Sequence, residues 1–214
     1  MAEGVAWKLS DIIKNEKEFY KIIKEIEKDS AKLDKQFESL TPNISVKDFK
    51  KIIQFNEELG EKFSRLGTYV ALIGATNTKS QQVMKYQPLL DKLGVEVGDK
   101  ERPIFHWIQG LEVRGKKGLD EKNAKRLFKE LKDHEYNLHD GRKKAKHTLQ
   151  EDTEKIIHRK DINGTEALTE LYSKIATNFT YNLKIPGKKE IVLDNQEKLK
   201  KYVYSKEKAE RKAA

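Results

Sequence analysis

Two apolar stripes with a seven-residue period constrain this chain more than any other feature. Ile12, Phe19, Ile26, Leu33 and Leu40 recur at intervals of seven, and Ile22, Ile23 and Phe37 fill in the same face. After Thr41-Pro42-Asn43 a second stripe begins. Phe49, Asn56, Phe63 and Val70 take one heptad position, and Ile52, Leu59, Leu66 and Ile73 take the other. A sustained heptad keeps apolar side chains on one seam of a helix, which is what packing lengthwise on another helix requires. Two such helices joined by a short Pro-containing link should fold back as an antiparallel hairpin. Ser10 is the expected N-cap of the first helix, and Ser45-x-x-Asp48 resembles a capping box opening the second. Asn56 is the polar member of the seam. It either fixes the register of the pair or marks a partly exposed seam position.

The rest of the chain also reads as helical until near its end. Thr78-x-x-Gln81 is another capping box, and Pro88 should break or kink the helix that follows or start a new one at its first turn. "VGDKERP" at 97–103 reads as a loop. Ile104 to about Leu111 reads as a short helix with Phe105 and Trp107, and Leu119 to about His139 as a longer one with Leu127, Phe128 and Leu131 on one side. Thr148 and Glu151 suggest a capping box ahead of Ile156 and Ile157, followed by a helix at about 165–179. Then the period changes. Phe179, Tyr181, Leu183 and Ile185 alternate, Pro186-Gly187 turns, and Ile191 and Leu193 alternate again, which predicts a β-hairpin at about 179–193. The last segment, "EKLKKYVYSKEKAERKAA", is a helical pattern without a stop signal, as expected of a chain that has been cut. The expected fold is therefore mostly α. A heptad-packed antiparallel hairpin over 1–78 continues into a helical bundle over 79–214 with one small β-hairpin near the C-terminus.

Composition narrows the function. Charged residues make up 37% of the 214 positions and hydrophobic ones 36%, which suits amphipathic helices with one buried stripe. The net charge is +9, but the charges are interleaved, as in "DEKNAKRLFKELKDHE". Interleaving is typical of solvated helix faces with i,i+4 pairs, so a nucleic-acid partner is not expected from it. A basic helical nucleic-acid-binding module, or an adaptor whose hairpin takes a partner helix, is the alternative reading. The absence of cysteine rules out disulfides and thiolate metal sites and fits a reducing compartment. There is no run of about 18 apolar residues and no signal-peptide pattern, so a soluble, cytoplasmic protein without a membrane partner is expected.

Two short segments invite a chemical reading. "HEYNLH" at 134–139 places Glu135 after a histidine, as in His-Glu-x-x-His, but His134 and His139 are five apart. At about 100° per residue they diverge by roughly 140° on a helix and cannot share one ion as residues four apart can. This stretch reads as a solvated helix end before Asp140-Gly141. "RGKKG" at 114–118 is basic and glycine-punctuated but lacks the spacing of a phosphate-binding loop, so it reads as a solvated turn.

Several segments, in order, resemble one family. "WKLSDII" at 7–13, "RLGTYVALIGATNTKSQ" at 65–81, "KHTLQEDTEKII" at 146–157, "LYSKIATNFTYNL" at 171–183 and "YVYSKEKAERKAA" at 202–214 are similar to segments of oligoendopeptidase F proteins, the M3 family of zinc metallopeptidases. Gln150 stands where that family has Ser, and Glu207 where it has Asp. The resemblance implies the N-terminal lobe of a longer enzyme, one half of a clamshell over a cleft for short oligopeptides. It implies that zinc and the catalytic His-Glu-x-x-His lie in the later, catalytic part, where the metal-bound water attacks the peptide carbonyl. No such motif occurs here, so no catalytic residue and no metal ligand is expected in this chain. His147 falls in the matching "HTL" segment, which the resemblance implies is not a zinc ligand; its expected role is structural, beside Thr148, rather than direct substrate contact.

Overall fold

The computed structural model describes residues 8–76, 80–194 and 196–214. Trp7 and the expected cap at Thr78 lie outside the described residues. Among the described residues the fold is mostly α with one two-stranded antiparallel sheet, as expected. The chain divides into two compact units, residues 1–159 and 160–214.

In the first unit, α1 (Glu16–Ser30) and α2 (Leu33–Ser39) lead into α3 (Val46–Thr76) and then α4 (Gln81–Ile108). Side-chain bonds fix the directions. Arg65 reaches Glu18, Lys62 reaches Asp29 and Asn56 reaches Gln36, so α3 runs antiparallel to α1 and α2. A Cβ on Gly74 would meet Val83 and one on Gly94 would meet Phe63, so α4 runs antiparallel to α3 in turn. The heptad residues Phe19, Ile26, Leu33, Leu40, Phe49 and Leu66 are fully buried in one continuous core. Removing a side chain of this size from water contributes roughly 1.5–3 kcal/mol. Phe19 stacks on Tyr86 of α4 at 4.1 Å between ring centroids, which joins the three helices at one end.

Asn56 is 8% exposed, so it belongs to the seam interior. Its Nδ2 donates to the Ile52 carbonyl at 2.7 Å and reaches Gln36 Oε1 across the seam at 3.5 Å. Its Oδ1 has no hydrogen-bond partner among the described residues. The Gln36 contact is the one that favours the register reading.

Helix boundaries depart from expectation in physically readable ways. The first helix begins at Asn15 and not at Ser10, because Asn15 Oδ1 accepts the Glu18 N–H at 3.0 Å while the Glu18 carboxylate accepts the Lys14 N–H at 2.7 Å. Ser10 instead sits in a short 3-10 turn, Leu9–Asp11. The same helix is interrupted at Ala31 and Lys32, where the Ser30 hydroxyl bonds back to the Glu27 carbonyl at 2.9 Å. The cap at Ser45 is as expected, with its Oγ accepting the Asp48 N–H at 3.0 Å.

The largest departure is α4. It passes through Pro88 and through 97–103, the expected loop, as one helix. Each proline removes one backbone donor, but Tyr86, Leu90, Leu93, Val97, Ile104 and Trp107 keep a buried stripe across both positions, and that burial outweighs the lost bonds. Asp99, held by Arg102 and Arg159 at 2.8 and 2.7 Å, adds an ion-pair clasp inside the expected loop.

The single helix expected over 119–139 is two, α5 (Glu121–Phe128) and α6 (Glu135–Lys144), with a turn between them. Leu127, Phe128 and Leu131 are buried as expected. Asp120 caps α5 by accepting the Asn123 N–H at 3.0 Å. α7 (Glu151–Asp161) follows.

The second unit holds α8 (Ala167–Ala176), β1 (Tyr181–Leu183), β2 (Ile191–Leu193), α9 (Gln196–Val203) and α10 (Lys208–Ala213). The hairpin pairs Tyr181 with Leu193 and Leu183 with Ile191, and Gly187 takes the positive φ its turn needs. Leu183, Ile185 and Leu193 form a small core against Leu199 and Tyr202. The expected uninterrupted helix in the tail is broken at Ser205, whose Oγ accepts the Glu207 N–H at 3.1 Å, and α10 begins beyond it.

Candidate functional site

A tight turn follows the end of α4. Val113 and Lys116 exchange backbone bonds of 3.0 and 2.9 Å around Arg114 and Gly115, both at positive φ. Two successive positive-φ residues define the two-residue hairpin turn that glycine tolerates and arginine does not favour. Gly118 lets the returning strand lie against Gly110 and Leu111, because a Cβ there would sit 2.3 Å from the Gly110 carbonyl carbon. The Trp107 indole closes the loop by donating to the Lys117 carbonyl at 2.9 Å. The "RGKKG" segment is therefore a turn, with Arg114, Gly115 and Lys117 exposed as expected, but it is also docked through Lys116 and Gly118. Lys116 donates to three carbonyls at the end of α2, and Arg114 pairs with Asp34 and Glu151.

This turn faces the start of α7 across a cleft of about 600 Å³, lined on one side by His106, Glu112 and Arg114 and on the other by Thr148, Gln150, Glu151, Asp152 and Lys155. That volume suits a small ligand or a short stretch of chain. In its lining the Glu151 carboxylate accepts from Arg114 Nη2 at 3.0 Å and from Lys155 Nζ at 2.5 Å. Burial alone would raise the Glu151 pKa, but the hydrogen bonds and charges of Lys155 and Arg114 hold it below the usual carboxylate range. His106, another lining residue, is buried, and that burial pushes its pKa down. It is therefore neutral at pH 7. The cleft offers both signs of charge and several hydrogen-bonding groups. Its Glu151 carboxylate is paired with two bases, Arg114 and Lys155.

The expected capping box at Thr148 and Glu151 is replaced. Glu151 turns to Arg114 and Lys155, and Glu154 accepts the Leu149 N–H at 3.0 Å. His147 is exposed at the end of a 3-10 turn just before Thr148. The two histidines of "HEYNLH" face different partners. His134 Nδ1 lies 3.2 Å from Glu57 on α3, while His139 lies 3.9 Å from Glu135 and edge-on to Phe128. Among the described residues no group of three or more His, Asp or Glu side chains converges to hold a metal ion. The residues described thus do not fit a zinc site. No helix among them is long and apolar enough to cross a membrane.

In the sequence Arg114 and Glu151 lie in separate segments, one that reads as a solvated turn and the other as a cap. The positive φ at Arg114, which sets the turn that carries its side chain to Glu151, had no signal in the sequence beyond the following glycine.

The architecture defines a helical domain with a polar cleft and an appended hairpin unit. Residues 117–181, under a third of the chain, match the family described as Oligopeptidase F, in its peptidase M3 N-terminal part. The match spans α5 to the first residue of β1 and includes one wall of the cleft, and it bears out the resemblance carried by the segment at 146–157 and by most of that at 171–183. No curated protein and no solved structure matches the chain.

Proposed function

We propose that this chain is the non-catalytic N-terminal lobe of an M3-type oligoendopeptidase, a helical wall that limits access to the peptide cleft of the enzyme. The observation that carries the reading is the match of residues 117–181 to the N-terminal part of that peptidase family. Two features support it. The matched segment holds histidines turned to separate acids rather than to a common point. It also includes α8, whose Leu168, Leu171, Tyr172 and Ile175 are 49–68% exposed, as befits a lobe that packs on further polypeptide of the same enzyme. Peptide-bond hydrolysis, and any zinc it uses, belongs in this reading to other residues than those described. The lobe acts sterically, admitting short extended peptides and barring folded proteins.

The test is direct. The purified 214-residue chain should contain no stoichiometric zinc and should not cleave a quenched fluorescent oligopeptide. Zinc at one equivalent together with cleavage would overturn the reading. Joined to a polypeptide carrying His-Glu-x-x-His, the lobe should confine cleavage to short peptides, and equal cleavage of a folded protein would also refute it.

A further inference from the structure

A second, smaller cavity lies between α3 and α4. It measures about 240 Å³, the scale of one side chain, and is lined by Leu59, Gly60, Phe63 and Ser64 from α3 and by Gly94, Val97, Gly98 and Glu101 from α4. The absence of side chains keeps it open. A Cβ on Gly60 would meet nothing within 4 Å, and one on Gly94 would lie 3.2 Å from Phe63 Cζ. Glu101 is its one ionisable lining residue. Of the other acids along α4, Asp99 is bonded to Arg102 and Arg159, Asp91 to Gln87, and Glu96 lies 3.8 Å from Lys92. The Glu101 carboxyl has no partner among the described residues, and burial alone pushes it up to about 7. His158 of α7 is the titratable group that approaches from the neighbouring helix, its Nε2 3.9 Å from where a Gly98 Cβ would be. The charges of Arg102 and Arg159 are committed to Asp99.

Glu101 is only partly exposed, and a carboxylate against a largely apolar slot is costly to ionise unless water or a cation meets it there. The slot walls suit methylenes, and the carboxylate suits an ammonium. We propose that the Gly60–Gly94–Gly98 slot binds a primary ammonium group on a short aliphatic stem, with Glu101 as its counter-ion. The ligand is either a free alkylamine or the side chain of a lysine within a peptide. Binding requires the carboxylate form, so it strengthens as Glu101 ionises.

The experiment is a titration of the whole chain with n-butylammonium, followed by the amide resonances of Gly94 and Gly98. Saturable shifts are expected at pH 8, with at least tenfold weaker binding at pH 5.5 and none from 1-butanol. Glu101→Gln, which preserves shape, should abolish the shifts. His158→Gln should keep the pH dependence, which removes histidine protonation as its cause. Gly60→Leu, which fills the slot while sparing the carboxyl, should also block binding. A parallel titration with Gly-Lys-Gly distinguishes the sources: stronger binding than n-butylammonium assigns a peptide lysine, and weaker binding assigns a free amine. The inference is overturned if neither cation shifts these amides at pH 8, if Glu101→Gln binds as the parent does, or if 1-butanol binds equally.

Discussion

Lys116 holds the end of α2: its ammonium donates to the Leu40 carbonyl at 3.0 Å, and also to the carbonyls of Phe37 and Glu38 at 2.8 and 2.9 Å. The last carbonyls of a helix have no partner within it, and a cation there also meets the negative end of the helix dipole. The ammonium lies 4.9 Å from the Phe37 ring centroid as well. One side chain from a turn more than seventy residues later thus satisfies the end of an early helix.

Lys116→Met keeps the stem and removes the three bonds. Hydrogen bonds to a charged group contribute about 1.5–3 kcal/mol, and part of that returns when water replaces the ammonium. The expected loss is about 2 kcal/mol, or roughly 4–8 °C in the melting temperature of a unit this size. Thermal unfolding followed by circular dichroism checks it. A loss under about 0.5 kcal/mol would make the contact incidental.

What the sequence reveals and what it hides divide along the same line. The heptad stripes depend only on local spacing, and Phe19, Ile26, Leu33 and Leu40 are all buried as their period requires. The hairpin at Tyr181–Leu193 is legible for the same reason, a period of two around Pro186-Gly187. Tertiary choices are not legible. Pro103 signals a break locally, yet Ile104 and Trp107 are fully buried beyond it, and that packing carries the helix through. The candidate cleft is hidden likewise, because Glu151 has two eligible roles in the sequence and only the folded chain presents Arg114 to it.

Phe19 tests the joint between α1, α3 and α4. It is fully buried and packs on Tyr86, Tyr69 and Tyr20. Phe19→Ala should cost about 3–5 kcal/mol, the transfer free energy plus the cavity left behind. Phe105 provides the contrast. It lies on the same core-forming helix as Tyr86 but is 43% exposed, so Phe105→Ala should change stability by no more than about 0.5–1 kcal/mol. Paired urea denaturation curves decide the comparison, and equal losses would contradict the assigned helix faces.

Glu101 gives the chain an unusual response to pH. Its folded pKa, about 7, exceeds the ordinary 4.5 because burial disfavours the charged form. The folded state therefore holds a proton that the unfolded state releases between those values. The stabilising contribution is fully present below pH 4.5 and is lost as pH rises through 7. The shift corresponds to a loss on the order of 3 kcal/mol, less to the extent that water enters the slot. Glu101→Gln should be more stable than the parent at pH 8 and indistinguishable from it at pH 4.5. A difference of the same size at both values would show that the carboxyl does not titrate in the slot.

The stripe on α8 separates an external docking face from an internal core. Leu168, Leu171, Tyr172 and Ile175 follow the i, i+3, i+4, i+7 spacing of an amphipathic helix, yet none of the residues in α8 is buried. Changing Leu171 and Ile175 together to Gln keeps good helix formers in place. If the stripe serves contacts outside this chain, the double variant should unfold within about 1 kcal/mol of the parent, since exposed substitutions cost little. Its binding of a hydrophobic dye such as ANS should fall, because the parent presents this face to solvent. Unfolding followed by tyrosine fluorescence, with dye titration alongside, measures both. A loss of several kcal/mol without change in dye binding would mean that α8 is packed within the chain in solution, and the lobe reading would lose the surface that joins it to the rest of a peptidase.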